Sequence, residues 1–414
     1  MTPRPISRKE STSNAQSQHS TDGKGFDSTI RIAIASSGLG HIRRGIESWA
    51  EDLAEGLRRF GADVTLFQGG PSSSGPRRRT LNCFRRFEAT NTRILAITRR
   101  MGGWRYGLGS AYDIEQSTFS FALWRAIRSS FDILHVQDPM IAIWMDRLNR
   151  LGLSRPRVIL GHGTEESNEM LGKLSYLQHL TPGYRDEYEQ RRPANQMSFG
   201  IPNFVDTQRF GPVSEDDKLA ARAQFHIRPD DLVILSVAAI KRTHKRCDYL
   251  IQEFASFRAQ LPDAIAAKAL LVLAGGRDAE SPEIISLGKS VLGDSLVILE
   301  SLDRDRLASL YQAADIFSIA SLHEMMPIAL LEALSSGLPA TCNNTPTLRW
   351  MVGPGGNPED ISQPGGLARQ WFPLLDSAVR RELSRKAREH VEETFSESKV
   401  LQQIMAMYST VLRS

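Results

Sequence analysis

Cysteine is scarce in this chain. Cys83, Cys247 and Cys342 are the only three in 414 residues, and they stand far apart. Scattered and odd in number, they form neither a metal motif nor a disulfide framework, and they fit a reducing cytoplasm. Long apolar runs are missing too. No stretch approaches about 18 consecutive apolar residues, which excludes a spanning helix. The first 27 residues have almost nothing to bury and are rich in Ser, Thr, Gln and Gly, so they read as a disordered tail. That tail lacks the apolar core of a secretory signal. Acid is nearly absent between Arg77 and Arg105, where nine arginines meet one carboxylate, Glu88. This is either a solvated basic face or a surface for anionic lipid or an anionic acceptor. It lacks regularly interleaved aromatics, so no nucleic acid is expected as a partner.

What is present is enough apolar residue, 41%, for two cores. "TIRIAIASSGLGHIRRGIESW" starts a β-loop-α-β unit: a short apolar strand from Thr29 to Ala35, a glycine-containing loop, then Ile42, Ile46, Trp49, Leu53 and Leu57 at helical spacing. Val64 to Phe67 is the next strand, with more at "FDILHV" and "RVIL". "IPNFVDTQRFGP" reads as a linker, after which a second series of strands begins at Leu232 and runs through "KALLVLAGG", "SLVILES" and "DIFSIAS". The fold class is therefore α/β, with two doubly wound domains. The expected division is a tail over 1–27, a first domain over 28–207, a second over 208–395 and a terminal helix over 396–414. A shared ligand belongs in the cleft beyond the strands' carboxyl ends.

Three stretches carry chemistry. "GLGHIRR" begins like a dinucleotide fingerprint, but Arg43 stands at the third glycine position and Gln68 where a ribose-binding acid belongs. What survives is a loop, Gly38 to His41, that lets the backbone approach an anion at a helix N-terminus, or else a plain tight turn. "IKRTHKRCDYLI" crowds Lys241, Arg242, Lys245 and Arg246 at a strand end, as a diphosphate counter-surface or a solvated loop. "HEMMPIALLEALSSGLP" places Pro327 and Gly337 at the two ends of a helix. Its first amides, Ile328 and Ala329, point toward Glu324, and Glu332 lies inside its apolar face. A buried carboxylate needs donors, from an arginine or from ligand hydroxyls such as a ribose diol. "DRD" at Asp303 to Asp305 is either a metal motif or a helix cap.

The stretch "ADIFSIASLHEMMPIALLEALSSGLPATC" resembles the signature of the retaining nucleotide-sugar glycosyltransferases known as glycosyl transferases group 1. Their E-x7-E would be Glu324 and Glu332. Further matches follow in the family's order: the glycine loop, "DILHVQDP", "LGHGT", "IPNFVDTQRF", "HKRCDYLI" and "LVLAGG", so the resemblance covers Arg31 to Leu367. It implies a GT-B fold and sugar transfer from a nucleoside diphosphate donor to a sugar, lipid-linked or small-molecule hydroxyl, in glycan, polysaccharide or glycoconjugate synthesis. It implies no cofactor and no metal.

By position, the resemblance makes Lys245, Glu324 and His162 catalytic. Lys245 meets the leaving diphosphate, Glu324 the donor sugar, and His162 the reacting centre. Glu332 would take the ribose, with Lys241, Arg242, Gly38, Gly40, His41, Ile328 and Ala329 completing the donor site. The chain departs from the pattern at Ala239, where the family has arginine, and at Met325 and Met326, where it has glycines. Trp350 stands near the place of a further glutamate. The other activities on such a fold are a sugar phosphorylase or sugar-phosphate synthase. A basic binding module with an inactive site is the non-enzymatic alternative. The expected location is cytoplasmic, with peripheral contact at the inner membrane face.

Overall fold

The computed structural model describes residues 30–42, 45–71, 75, 77–164 and 166–414. The 1–27 tail lies outside the described residues. Alternating strands and helices build two parallel sheets. The first has seven strands: β1 (Arg31–Ser36), β2 (Asp63–Gln68), β3 (Arg78–Thr80), β4 (Ile133–Val136), β5 (Arg157–His162), β6 (Tyr176–His179) and β7 (Met197–Gly200). Their order is β3-β2-β1-β4-β5-β6-β7. The second has β8 (Leu232–Val237), β9 (Ala269–Gly275), β10 (Leu296–Glu300), β11 (Ile316–Ser318) and β12 (Ala340–Thr341), ordered β10-β9-β8-β11-β12. Parallel strands need crossover helices on both faces, so the central ones are continuously apolar rather than alternating. In β1, for example, every residue after Arg31 is buried.

Three strands depart from the sequence reading. β3 runs through the arginine-rich stretch at the sheet edge, where Arg78 also donates to Gln68 Oε1 of β2. β6 and β7 have four residues each, "YLQH" and "MSFG", too short to show a period. The start expected at Thr29 also falls outside the described residues.

Each sheet is covered on both sides. On one face of the first, Trp49 and Leu53 from the helix Gly45–Arg59 meet Leu401, Ile404 and Tyr408 from the helix Glu397–Arg413. The last helix is thus part of the first lobe's core. The chain reaches it by a second crossing beside the linker, where the Val205 amide donates to Phe395 O and the Glu397 amide to Val205 O. In the second lobe, Trp371 is fully buried against Phe254 and Phe257, and its indole N–H is shared by Ser318 Oγ and Thr341 Oγ1. Those two hydroxyls lie on the neighbouring strands β11 and β12, so one side chain ties the sheet to its cover.

Candidate functional site

The lobes meet at the carboxyl ends of their strands. The short apolar helix Ile328–Ser335 has Pro327 as its extended N-cap. Pro327 lacks an N–H, and the helix leaves its first amides, Ile328 and Ala329, without intrahelical acceptors. The Ile328 side chain reaches the first lobe: a Cβ built on Gly45 would sit 4.0 Å from its Cδ1. Gly337, at φ +79°, closes the other end.

Lys245 reaches this helix terminus from the loop after β8, its Nζ 2.5 Å from Glu324 Oε1. Both side chains are mostly buried. Lys245 is flanked by two left-handed residues that are not glycine, His244 (φ +69°) and Arg246 (φ +49°). Such backbone is costly and persists only where its surroundings hold it. Here His244 Nε2 meets His323 O at 3.0 Å, and Arg246 donates to Ala320 O and Ile361 O. The other cations of the loop turn to partners of their own. Arg242 donates to Asp248, and Lys241 lies 3.9 Å from Asp278. Of the four crowded charges, Lys245 alone is brought to Glu324.

Glu332 is buried, and the protein supplies its donors. The Tyr311 hydroxyl donates to Glu332 Oε2 at 2.9 Å, and Arg304 Nη2 lies 3.6 Å from Oε1. The arginine alternative is therefore present. Arg304 also crosses to the first lobe, where Nη1 is 3.1 Å from Asp52 Oδ2. Two carboxylates thus share one guanidinium between lobes. Burial pushes both upward against the pull of Arg304, Asp52 to about 7. Nothing in the sequence marks Asp52 or Arg304 as neighbours of Glu332. Asp303 is a helix cap, accepting from the Arg306 amide at 2.8 Å.

The glycine loop follows β1. A Cβ on Gly38 would collide with the Glu47 carboxylate, and Gly40 sits at φ +92° against the Gly70 backbone. His41 Nε2 is 3.0 Å from Glu115 Oε2, and the fully buried Glu115 also accepts from Ser37 and Arg86. Burial alone would raise Glu115, but the bonds from His41 and Arg86 outweigh it and hold the carboxyl at about 2. Ser37 and Tyr112 also donate to Asp138. Arg86 is thus one member of the arginine-rich stretch that points inward. Others pair locally, Arg78 with Glu51 and Arg85 with Glu88.

His162 ends β5 and is buried with His179 of β6, their Nδ1 atoms 3.3 Å apart. Burial lowers each to about 4. Beside them a cavity of about 300 Å³ opens toward Met325. Its neighbour Met326 points elsewhere, taking a hydrogen bond from the Asn203 amide at Sδ. The two methionines therefore have different roles, which their adjacency in sequence conceals. Among the described residues no cluster of three His, Cys, Asp or Glu side chains could hold a metal ion, and no described helix is long and apolar enough to cross a membrane.

Two facing parallel-sheet lobes with the site between them define the GT-B class. The profile of "Glycosyl transferases group 1" matches residues 217–388, and that of "Glycosyltransferase Family 4" matches residues 43–236. Together the two profiles, both of glycosyltransferases, run from residue 43 to residue 388. It is 26% identical over 217 residues to N-acetyl-alpha-D-glucosaminyl L-malate synthase of Bacillus anthracis, spanning 51% of this chain and 54% of the relative. The chain thus spans about half the length of that curated relative. Sucrose-phosphate synthase from Thermosynechococcus elongatus superposes with a TM-score of 0.70 at 19% identity, covering 93% of this chain and 99% of its own. HepE of Anabaena, solved in complex with UDP and glucose, gives 0.66 at 13% identity, covering 92% and 100%.

Proposed function

We propose that the protein is a retaining, metal-independent glycosyltransferase that moves a sugar from a nucleoside diphosphate to an acceptor hydroxyl. The observation that carries this is Lys245 clamped to Glu324 at the amide end of the helix Ile328–Ser335. Departure of a nucleoside diphosphate builds negative charge. A fixed ammonium and unpaired amides aimed at that charge stabilise it without reorganising. Glu324 is then left to accept from the donor-sugar hydroxyls, and Gly38 to His41 border the diphosphate from the opposite lobe. Glu332 takes the ribose by exchanging Arg304 for the sugar diol. HepE of Anabaena, solved with UDP and glucose, supports a donor of this kind.

The test is thermal unfolding against a panel of nucleotide sugars, followed by NMR of the anomeric product. One donor should raise the unfolding midpoint, because a ligand at a hundredfold its Kd adds about 2.7 kcal/mol. The product should keep the donor's anomeric configuration, with turnover intact in EDTA. A protein that ignores every nucleotide sugar yet turns over a sugar with free phosphate is a phosphorylase, and the proposal fails.

The acceptor side of the first lobe carries a second, separate part of the proposal. The helix Ala89–Arg100 presents Arg93, Ile97 and Arg100 to solvent, with Phe87 83% and Met101 76% exposed at its two ends. Cationic and apolar groups mixed on one face fit the surface of an anionic bilayer. Binding to phosphatidylglycerol vesicles should fall at least tenfold in Arg99→Glu/Arg100→Glu. Equal binding by the variant, or none by the wild type at low salt, sinks the membrane contact.

A further inference from the structure

Arg304 opens the helix Arg304–Ala313 of the second lobe, and its guanidinium lies between two carboxylates that belong to different lobes. Asp52 comes from the helix Gly45–Arg59 of the first lobe, Glu332 from the helix Ile328–Ser335 of the second. The two contacts are unequal. Nη1 is 3.1 Å from Asp52 Oδ2, within hydrogen-bond reach, whereas Nη2 is 3.6 Å from Glu332 Oε1, too far for one. Arg304 Nε is buried with no hydrogen-bond partner among the described residues, and the guanidinium carbon lies 5.7 Å from the centre of the Phe210 ring. Neither acid uses up this cation.

Glu332 is held from its other side. The Tyr311 hydroxyl donates to Oε2, so Oε1 is the oxygen whose partner can be exchanged. Whatever takes Oε1 loosens Arg304 from Glu332 and leaves its charge to Asp52. The converse follows by reciprocity: an ionised Asp52 draws Arg304 off Glu332 and so favours whatever binds there.

The neighbouring charges have other ties. Glu51 is 2.6 Å from Arg78, and Arg209 of the linker lies 3.5 Å from Asp305. Glu55, exposed one turn along from Asp52, adds negative charge that opposes its ionisation. Arg304 is thus the cation that Asp52 and Glu332 have in common.

We infer that Asp52 is a positioning residue for the donor nucleotide: it draws Arg304 toward the first lobe and so clears the carboxylate that receives the ribose diol. This rests on the proposed function, in which Glu332 takes the ribose. Asp52 touches no substrate and acts on a site in the other lobe through one shared cation.

The Asp52 proton separates this role from a structural one. Burial brings Asp52 to about 7 against the attraction of Arg304, so both of its forms are populated near neutrality. Ribose binding favours the ionised form and therefore releases a proton. Affinity for the nucleotide rises with pH through 7, although the ligand is an anion. Glu332, which burial also pushes up, adds a rise of its own. Asp52→Asn tells the two apart, because it removes only the first.

Isothermal titration calorimetry on the full chain, with UDP, GDP, ADP and dTDP as probes, compares the wild type with Asp52→Asn and Glu55→Gln. The nucleotide that binds the wild type should bind Asp52→Asn about tenfold more weakly at pH 8.5, an ordinary size for coupling between two sites. At pH 5.5 the two should agree within about twofold, because Asp52 is then neutral in both states. Glu55→Gln removes a nearby charge without touching Arg304 and should follow the wild type at both pH values. The 2′,3′-dideoxy form of the same nucleotide lacks the diol and should bind wild type and Asp52→Asn alike. Urea midpoints confirm that both variants are folded. Equal affinity at pH 8.5, a deficit of the same size at pH 5.5, or one that persists with the dideoxy nucleotide overturns the inference and leaves the glycosyl-transfer reading standing. A wild type that binds no nucleotide overturns both.

Discussion

Lys245→Ala is expected to lower kcat/KM by about 10²–10³, the cost typical of removing one preorganised charge stabiliser. Glu324→Ala should cost at least as much, because it removes sugar contacts and leaves the ammonium without its partner. Most of the Lys245 loss should fall on kcat, since charge on the diphosphate is greatest in the transition state. The protein should stay folded, because neither side chain belongs to a core cluster. The left-handed backbone on either side of Lys245 makes the position exacting. Lys245→Arg should therefore recover little, because a planar fork at the same Cα cannot put its charge where the point charge sat. Steady-state turnover with circular dichroism as the folding control is the measurement. Unchanged turnover in both alanine variants would remove these residues from the site.

Arg304→Ala should be the most damaging change to stability near the cleft. It leaves Asp52 and Glu332 facing one another across the lobes with the Tyr311 hydroxyl as the remaining identified donor. Breaking a buried pair costs about 3–5 kcal/mol, and the partial exposure of Arg304 places the expected loss at about 2–3 kcal/mol. The pH dependence has a definite sign. Asp52 titrates at about 7 in the folded protein against 3.8 unfolded, so its neutral form is favoured by folding. That contribution is complete below pH 3.8 and is lost as pH rises through 7. Without Arg304 the carboxyls move further up, so the deficit should be small at pH 5 and largest at pH 8. Urea midpoints at the two pH values measure it, and Asp52→Asn in the same background should recover part of the loss. A deficit independent of pH would mean that Arg304 acts by packing alone.

The two-lobe α/β plan was legible because apolar strands such as "RIAIAS" and "ALLVLAG" are buried on both faces and carry no alternation to misread. The helix Ile328–Ser335 was legible from Pro327 and Gly337, whose backbone demands are local. Lys245 and Glu324 could be named from motifs, but their contact spans 79 positions and belongs to the fold. Asp52 and Arg304 meet across lobes for reasons no local pattern carries. Glu115 had a weak signal, an acid on the inner face of the helix Ala111–Ile127, like that of Glu332. β3 was hidden because an edge strand of three residues, two of them arginine, shows neither an apolar run nor a period.

The helix Glu397–Arg413 has a consequence for how the protein is made. Trp49, Leu53 and Leu57 are covered by a segment that leaves the ribosome after the whole second lobe. During synthesis the first lobe can form its sheet but not close that face. The second lobe, whose strands and cover are contiguous in the chain, can finish earlier. The lobe begun first is thus completed last, and a nascent chain halted before Val400 should display an apolar strip that invites chaperones or self-association.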